Sequence, residues 1–99
     1  MGFIQTVSFT TSRIDEVQQL AEQYDRDNPN APGFLGSKIL RDRDRENAYL
    51  IIAEFESYEL AMENSNRPET DAFARKMGEM LDGPAEYGNY DLIAEQERG

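Results

Sequence analysis

The sequence contains no cysteine, no histidine and no tryptophan. Without cysteine there is no disulfide framework, no thiolate nucleophile and no zinc–thiolate site. Without histidine, the commonest general base is missing too. No apolar stretch approaches the ~20 residues that cross a bilayer. The opening residues, Met1-Gly2-Phe3-Ile4-Gln5-Thr6, carry neither a basic region nor an apolar segment of signal-peptide length. A cytoplasmic location is the resulting expectation. Cations are scarce as well: 10 Lys and Arg stand against 20 Asp and Glu, for a formal net charge of −10. Phosphate binding depends on Lys and Arg, so neither nucleic acid nor an anionic membrane surface is an expected partner. The densest cationic run, Arg41-Asp42-Arg43-Asp44-Arg45-Glu46, alternates with acids and reads as a solvated hairpin tip.

What is present suits one folded α+β domain. The chain has 99 residues, 38% hydrophobic and 30% charged, with its apolar residues in short runs bounded by turn signals. Phe3, Val7 and Phe9 fall at alternate positions, which predicts a strand over Phe3 to Thr10. Ser12 and Asp15 have capping-box spacing. Ile14, Val17, Leu20, Ala21 and Tyr24 then follow at helical intervals, predicting an amphipathic helix from Ile14 to about Asp25. Asn28 to Gly33 is a loop, and strands are predicted over Phe34 to Arg41 and Ala48 to Phe55. Ser57 is placed to cap a short helix through Glu63. Pro68 suits the first turn of another helix, with Asn66 or Arg67 before it; Phe73, Met77 and Leu81 form its buried stripe. Asp82-Gly83-Pro84 ends that helix, a last strand runs from Glu86 to Ile93, and Ala94 to Gly99 is a polar tail. The order β-α-β-β-α-β is the ferredoxin-like pattern, an antiparallel sheet with helices on one face.

A sheet covered on one face should be polar on the other. These strands are apolar on both. Tyr49-Leu50-Ile51-Ile52-Ala53 is apolar at every position, and the second strand places Phe34 and Leu40 on one parity against Leu35 and Ile39 on the other. A symmetric partner sheet is the simplest second cover, so a homodimer is expected.

Three segments also resemble a known family. Pro32-Gly33-Phe34-Leu35-Gly36 opens the second strand, Ile52-Ala53-Glu54-Phe55-Glu56-Ser57-Tyr58-Glu59-Leu60-Ala61 leads from strand to helix, and Tyr87-Gly88-Asn89-Tyr90-Asp91-Leu92 forms the last strand. In order and spacing they resemble the antibiotic biosynthesis monooxygenase-like family of dimeric α+β barrels. The resemblance makes residues 1–94 one such domain and 95–99 a tail. It implies a homodimer of facing sheets, with a small-molecule cavity in each subunit between sheet and helices. The family includes cofactor-independent oxygenases acting on polyphenolic or quinol-like substrates, and haem-degrading enzymes. Members often carry Trp where the third strand enters the helix, whereas this chain has Phe55. Haem-degrading members use a His in the following helical segment, which here reads Asn64-Ser65-Asn66. That branch is set aside, and no metal or organic cofactor is expected.

The candidate ligand-binding residues are Gln5, Tyr49, Phe55, Asn64, Arg67, Tyr87 and Tyr90. Gln5 lies on the Phe3/Val7/Phe9 side, where its amide needs a partner: neighbouring backbone or a ligand. Capping of the helix break explains Asn66 and Ser65, while Arg67 is free to pair with Glu63 or Glu69 or to face a ligand anion. The tyrosines are core residues with rim hydroxyls, or acids toward a ligand. Met62, Met77 and Met80 are assigned to helix packing. Asp25 and Asp27 lack metal-site spacing and are assigned to solvent. Two functions remain open: a cofactor-independent monooxygenase-like oxidoreductase on a phenolic or quinol-like substrate, or a non-catalytic metabolite-binding or assembly module.

Overall fold

Alternation along the first strand sets the architecture. In the computed structural model, which describes residues 2–98, β1 (Phe3–Thr10) is central and β3 (Ala48–Phe55) and β4 (Glu86–Asp91) pair antiparallel to it. β2 (Phe34–Arg41) pairs antiparallel with β3 and completes a four-stranded sheet in the order β2-β3-β1-β4. Helices α1 (Ile14–Asp27), α2 (Tyr58–Ser65) and α3 (Pro68–Gly78) complete the ferredoxin-like α+β arrangement. Met1, the first residue of the expected domain, and Gly99, the end of the expected tail, lie outside the described residues. Among the described residues no helix is long and apolar enough to cross a membrane.

The register assigns each side chain a face. Phe3, Gln5, Val7 and Phe9 lie opposite Phe55, Ala53, Ile51 and Tyr49, and together they face the helices. Two clusters of buried residues fill the space between. Phe9, Val17, Tyr49 and Met77 form one, flanked by Phe73, Met80 and Leu81; Phe3, Phe55 and Ala61 form the other, flanked by Phe34 and Met62. The three internal methionines therefore pack, as their helical spacing predicts.

The opposite face carries Ile4, Leu50, Ile52, Leu40 and Tyr90, and among the described residues no helix lies over them. Gly88 belongs to this face as well. A Cβ there would meet Thr6 Oγ1 at 2.5 Å and the Tyr90 ring at 2.6 Å, so the missing side chain is what lets that ring lie across the sheet.

Three local expectations are corrected. The capping box does not form: Arg13 is the N-cap of α1 and no side chain caps it. The wholly buried Thr11 instead accepts from the Arg13 backbone N–H at 2.9 Å and donates to the Met80 carbonyl at 2.6 Å, tying the start of α1 to the end of α3. In β2 a bulge between Phe34 and Gly36 adds one residue. That extra residue reverses parity, so Phe34 shares the helix side with Ile39 rather than with Leu40. Finally, α3 ends at Gly78, and Leu81 reaches the core from the turn beyond it. Ser57 does cap α2, its hydroxyl accepting from the Leu60 N–H at 3.2 Å, and Pro68 occupies the first turn of α3.

Candidate active site

Between the sheet and the helices lies a cavity of about 160 Å³. Its floor is the helix side of the sheet: Gln5 and Val7 of β1, Ile51, Ala53 and Phe55 of β3, Phe34 and Ile39 of β2. Its roof is built at helical spacing, from Ala21, Tyr24, Asp25 and Asn28 along α1 and from Thr70, Phe73, Ala74 and Met77 along α3. Asn64 of α2 and Tyr87 of β4 close two of its sides. The walls are mostly carbon, with polar atoms at a few points, which is the usual make-up of a small-molecule site. A closed apolar space of ~150 Å³ takes a benzene, so this cavity accommodates about one aromatic ring. Beside it, an open groove of about 450 Å³ runs between α1 and β2, sharing Ala21, Asp25, Ser37 and Ile39 with the cavity wall.

At one end a guanidinium organises the polar groups. Arg67 donates to Asn64 Oδ1 at 3.2 Å, to Asn28 Oδ1 at 3.0 Å and to Glu69 at 2.7 Å. Asn28 in turn donates to the Tyr24 carbonyl at 2.8 Å. The Glu69 carboxyl is held below its usual range, first by its own backbone N–H and then by Arg67. A guanidinium can only donate, so Arg67 fixes which end of the Asn64 amide is oxygen. Asn64 is buried, and its Nδ2 has no partner among the described residues, yet no fully buried polar side-chain atom there is left unpaired. That N–H therefore stays accessible beside the cavity. Tyr24 and Thr70 share a hydrogen bond of 2.7 Å across the roof.

Of the seven residues expected from sequence, Gln5, Phe55, Asn64 and Tyr87 line the cavity. The Gln5 amide donates at 3.3 Å to the side chain of Asn89 on the adjacent strand, not to backbone. Tyr49 stacks on Phe9 in the core and borders the groove. Arg67 sits behind Asn64, and of the acids weighed for it pairs with Glu69. Tyr90 stands on the other face of the sheet, away from the cavity. Tyr24, Asp25, Asn28 and Thr70 were not expected from sequence. Asp25 in particular borders the cavity instead of facing solvent alone, and burial raises its carboxyl above the ordinary range. Helical spacing from Ala21 was the available signal, since residues four apart share a face. Among the described residues no cluster of three or more Asp or Glu is placed to hold a metal ion.

The sequence profile described as antibiotic biosynthesis monooxygenase matches residues 3–76. The chain belongs to that family. Several solved structures share this fold over nearly their whole length. A structure of SnoaB, a cofactor-independent oxygenase from Streptomyces nogalater, superposes with a TM-score of 0.83 at 18% identity, covering 98% of each chain. Rv0793 from Mycobacterium tuberculosis gives 0.78 at 12% identity, covering 98% of this chain and 100% of that one. A conserved protein from Methanosarcina mazei gives 0.79 at 10% identity, with 91% of each chain covered. At such identities the likeness is one of fold. No curated protein matches the sequence.

Proposed function

We propose that this protein is a cofactor-independent oxygenase that binds a phenolic or quinol-like substrate in the cavity between sheet and helices. The observation that carries the reading is the cavity itself: aromatic and aliphatic walls, sized for one ring, with the Asn64 amide held beside it. SnoaB, whose fold it shares, is described as a cofactor-independent oxygenase. A deprotonated electron-rich aromatic can give an electron to oxygen without a metal. For an anthrone-type methylene, one oxygen atom ends as the new carbonyl and the other leaves as water with the two methylene hydrogens. The Asn64 N–H supports this by donating to the substrate's anionic oxygen, and Arg67 by holding the Asn64 amide in place. Gln5 and Tyr87 orient the ring from the sheet side, against the wall formed by Phe55.

Oxygen uptake measured over a panel of quinols and anthrones tests the proposal. Turnover above buffer, weakened by Asn64→Ala, is the expected result; no turnover across the panel sinks it. The competing reading is a non-catalytic metabolite-binding module, favoured by the mutual pairing of Gln5 with Asn89 and of Tyr24 with Thr70. A ligand that raises the melting temperature without being transformed would support that alternative.

The protein acts as a homodimer in this proposal, its two uncovered sheet faces packed together. Ile4, Leu50, Ile52 and Tyr90 supply the apolar contact. Solution scattering at micromolar concentration should give twice the chain mass, and a monodisperse monomer would refute the dimer.

A further inference from the structure

We infer that Asp25 is the general base of this site, taking the proton from a phenolic or carbon-acid substrate that lies across the junction of cavity and groove. The inference rests on the oxygenase reading above and names its proton acceptor.

Position is the first argument. Ile14, Gln18, Ala21 and Asp25 follow one another along a single side of α1 at intervals of four, three and four, and all border the groove opposite Ser37 and Ile39 of β2. A carboxylate therefore stands in the side of α1 that faces a strand across the groove. Ala21, Asp25, Ser37 and Ile39 border both spaces, and Asp25 is the one titratable group among them. The cavity volume suits a single ring, and the residues it shares with the groove give a larger ring system a way out past Asp25.

Availability is the second. Among the described residues Asp25 has no ion pair and no side-chain hydrogen bond. Other acids of α1 are engaged: Asp27 accepts from Gln23, and Glu22, which borders the groove, accepts from Gln18. Burial alone accounts for the raised carboxyl, with no neighbouring charge involved. A raised carboxylate is a stronger base than one in water.

Elimination is the third. The titratable groups lining the cavity are Tyr24, Asp25 and Tyr87, and the groove adds Glu22, Arg41 and Tyr49. α2 and α3 contribute none to either wall, and from β1 and β3 only the Tyr49 phenol enters. Tyrosine ionises near 10 and arginine stays protonated, so neither serves as a base near neutrality. The Tyr24 hydroxyl is already shared with Thr70. With no histidine or cysteine in the chain, the carboxylates Asp25 and Glu22 remain, and of the two Asp25 alone also borders the cavity.

In the step itself the Asp25 carboxylate takes the O–H or C–H proton. The bonding pair stays on the substrate as a delocalised anion, and Asp25 becomes a neutral acid. It returns the proton when oxygen is reduced and water leaves.

The test separates proton removal from oxygen chemistry. Hydrogen–deuterium exchange at the anthrone methylene is followed by proton NMR in anaerobic D₂O buffer, with the parent protein, Asp25→Asn and Asp25→Glu. The parent should accelerate exchange over buffer, with an acid limb as the carboxyl protonates. Asp25→Asn should lose about 100-fold, the lower end of general-base contributions, or fall to the buffer rate, and lose the limb. Asp25→Glu should recover part of the rate. Exchange in Asp25→Asn within about twofold of the parent overturns the assignment, as does a parent no faster than buffer. Should Asp25→Asn fail to fold by circular dichroism, the parent's own pH profile decides: a rate flat through the carboxylate range overturns it. Exchange that depends on Asp25 with no oxygen uptake would keep the base and sink the oxygenase; uptake indifferent to Asp25→Asn would do the reverse.

Discussion

Arg67 joins three segments through one side chain, reaching Asn28 after α1, Asn64 in α2 and Glu69 in α3. Its side chain is 24% exposed, so these bonds are partly shielded from water. Removing the donor leaves shielded acceptors unpaired, which costs about 1–3 kcal/mol. Arg67→Ala should lower the urea midpoint accordingly and weaken substrate binding by freeing the Asn64 amide to rotate. Arg67→Lys should recover little, because one ammonium cannot reproduce the planar fork that reaches several acceptors. Asp25 makes the opposite kind of contribution. A carboxyl whose folded pKa lies above its unfolded value binds its proton more tightly when folded. Its ionised form therefore costs stability above the folded pKa, and the cost fades as pH falls toward and below the unfolded one. Asp25→Asn should melt slightly higher than the parent at pH 7, and the gap should close below about pH 4, the unperturbed carboxylate range. Because the side chain is largely exposed, screening holds the effect under ~0.5 kcal/mol, about 2–4 °C for a domain this size.

At the scale of elements, the connection from α1 into β2 depends on Gly33. Its φ is +63°, and a Cβ there would meet the Leu60 side chain at 2.6 Å, so β2 and α2 approach each other through this glycine. The Gly33 carbonyl also accepts from the Glu56 N–H at 2.8 Å, joining the entries of β2 and α2. Gly33→Ala should cost about 1–2 kcal/mol for the left-handed backbone and about 1–3 kcal/mol more for displacing Leu60. Chemical denaturation reads the sum. An unchanged midpoint would mean that the loop shifts freely. The same stretch shows how far local pattern carries. Strand limits for β2 and β3 agree with the apolar runs bounded by turn signals, but the parity read for Phe34 does not survive the bulge between Phe34 and Gly36. A bulge forms to suit its partner strand, and one inserted residue reverses every side chain on one side of it. The Ser12 cap failed for a related reason. Thr11 gains a bond to Met80, 69 residues away, and that partner is invisible in a window of four.

At the scale of the whole molecule, the uncovered sheet face is the contact surface of the proposed dimer. Three strands of eight residues and one of six, ~4.8 Å apart, give a face of roughly 500 Å². A standard interface takes ~800 Å² from each partner. Exposed neighbours such as Ile93, at 84% exposure, are available to extend it. Ile52→Asp puts a charge at the middle of that face, opposite Thr6 on one side and Lys38 on the other. It should convert the dimer to monomer in gel filtration with light scattering. If the protein is already monomeric, the change should be silent and stability should move by less than ~0.5 kcal/mol, as for ordinary surface substitutions.

The sequence by itself determined the element order, the amphipathic α1, the caps at Ser57 and Pro68, and the apolar residues on both sides of β3. Those depend on neighbours within one turn or one strand, where backbone sterics and side-chain period act directly. Residue type alone also excluded thiol and imidazole chemistry. Only the tertiary structure decided that Phe34 turns to the helix side, that Gln5 meets Asn89, that Arg67 backs Asn64, and that Asp25 stands where cavity and groove join. Each of these depends on which strand or helix lies opposite. That is set by packing between segments distant in the chain, and the free energy of such contacts is not encoded in any short stretch of it.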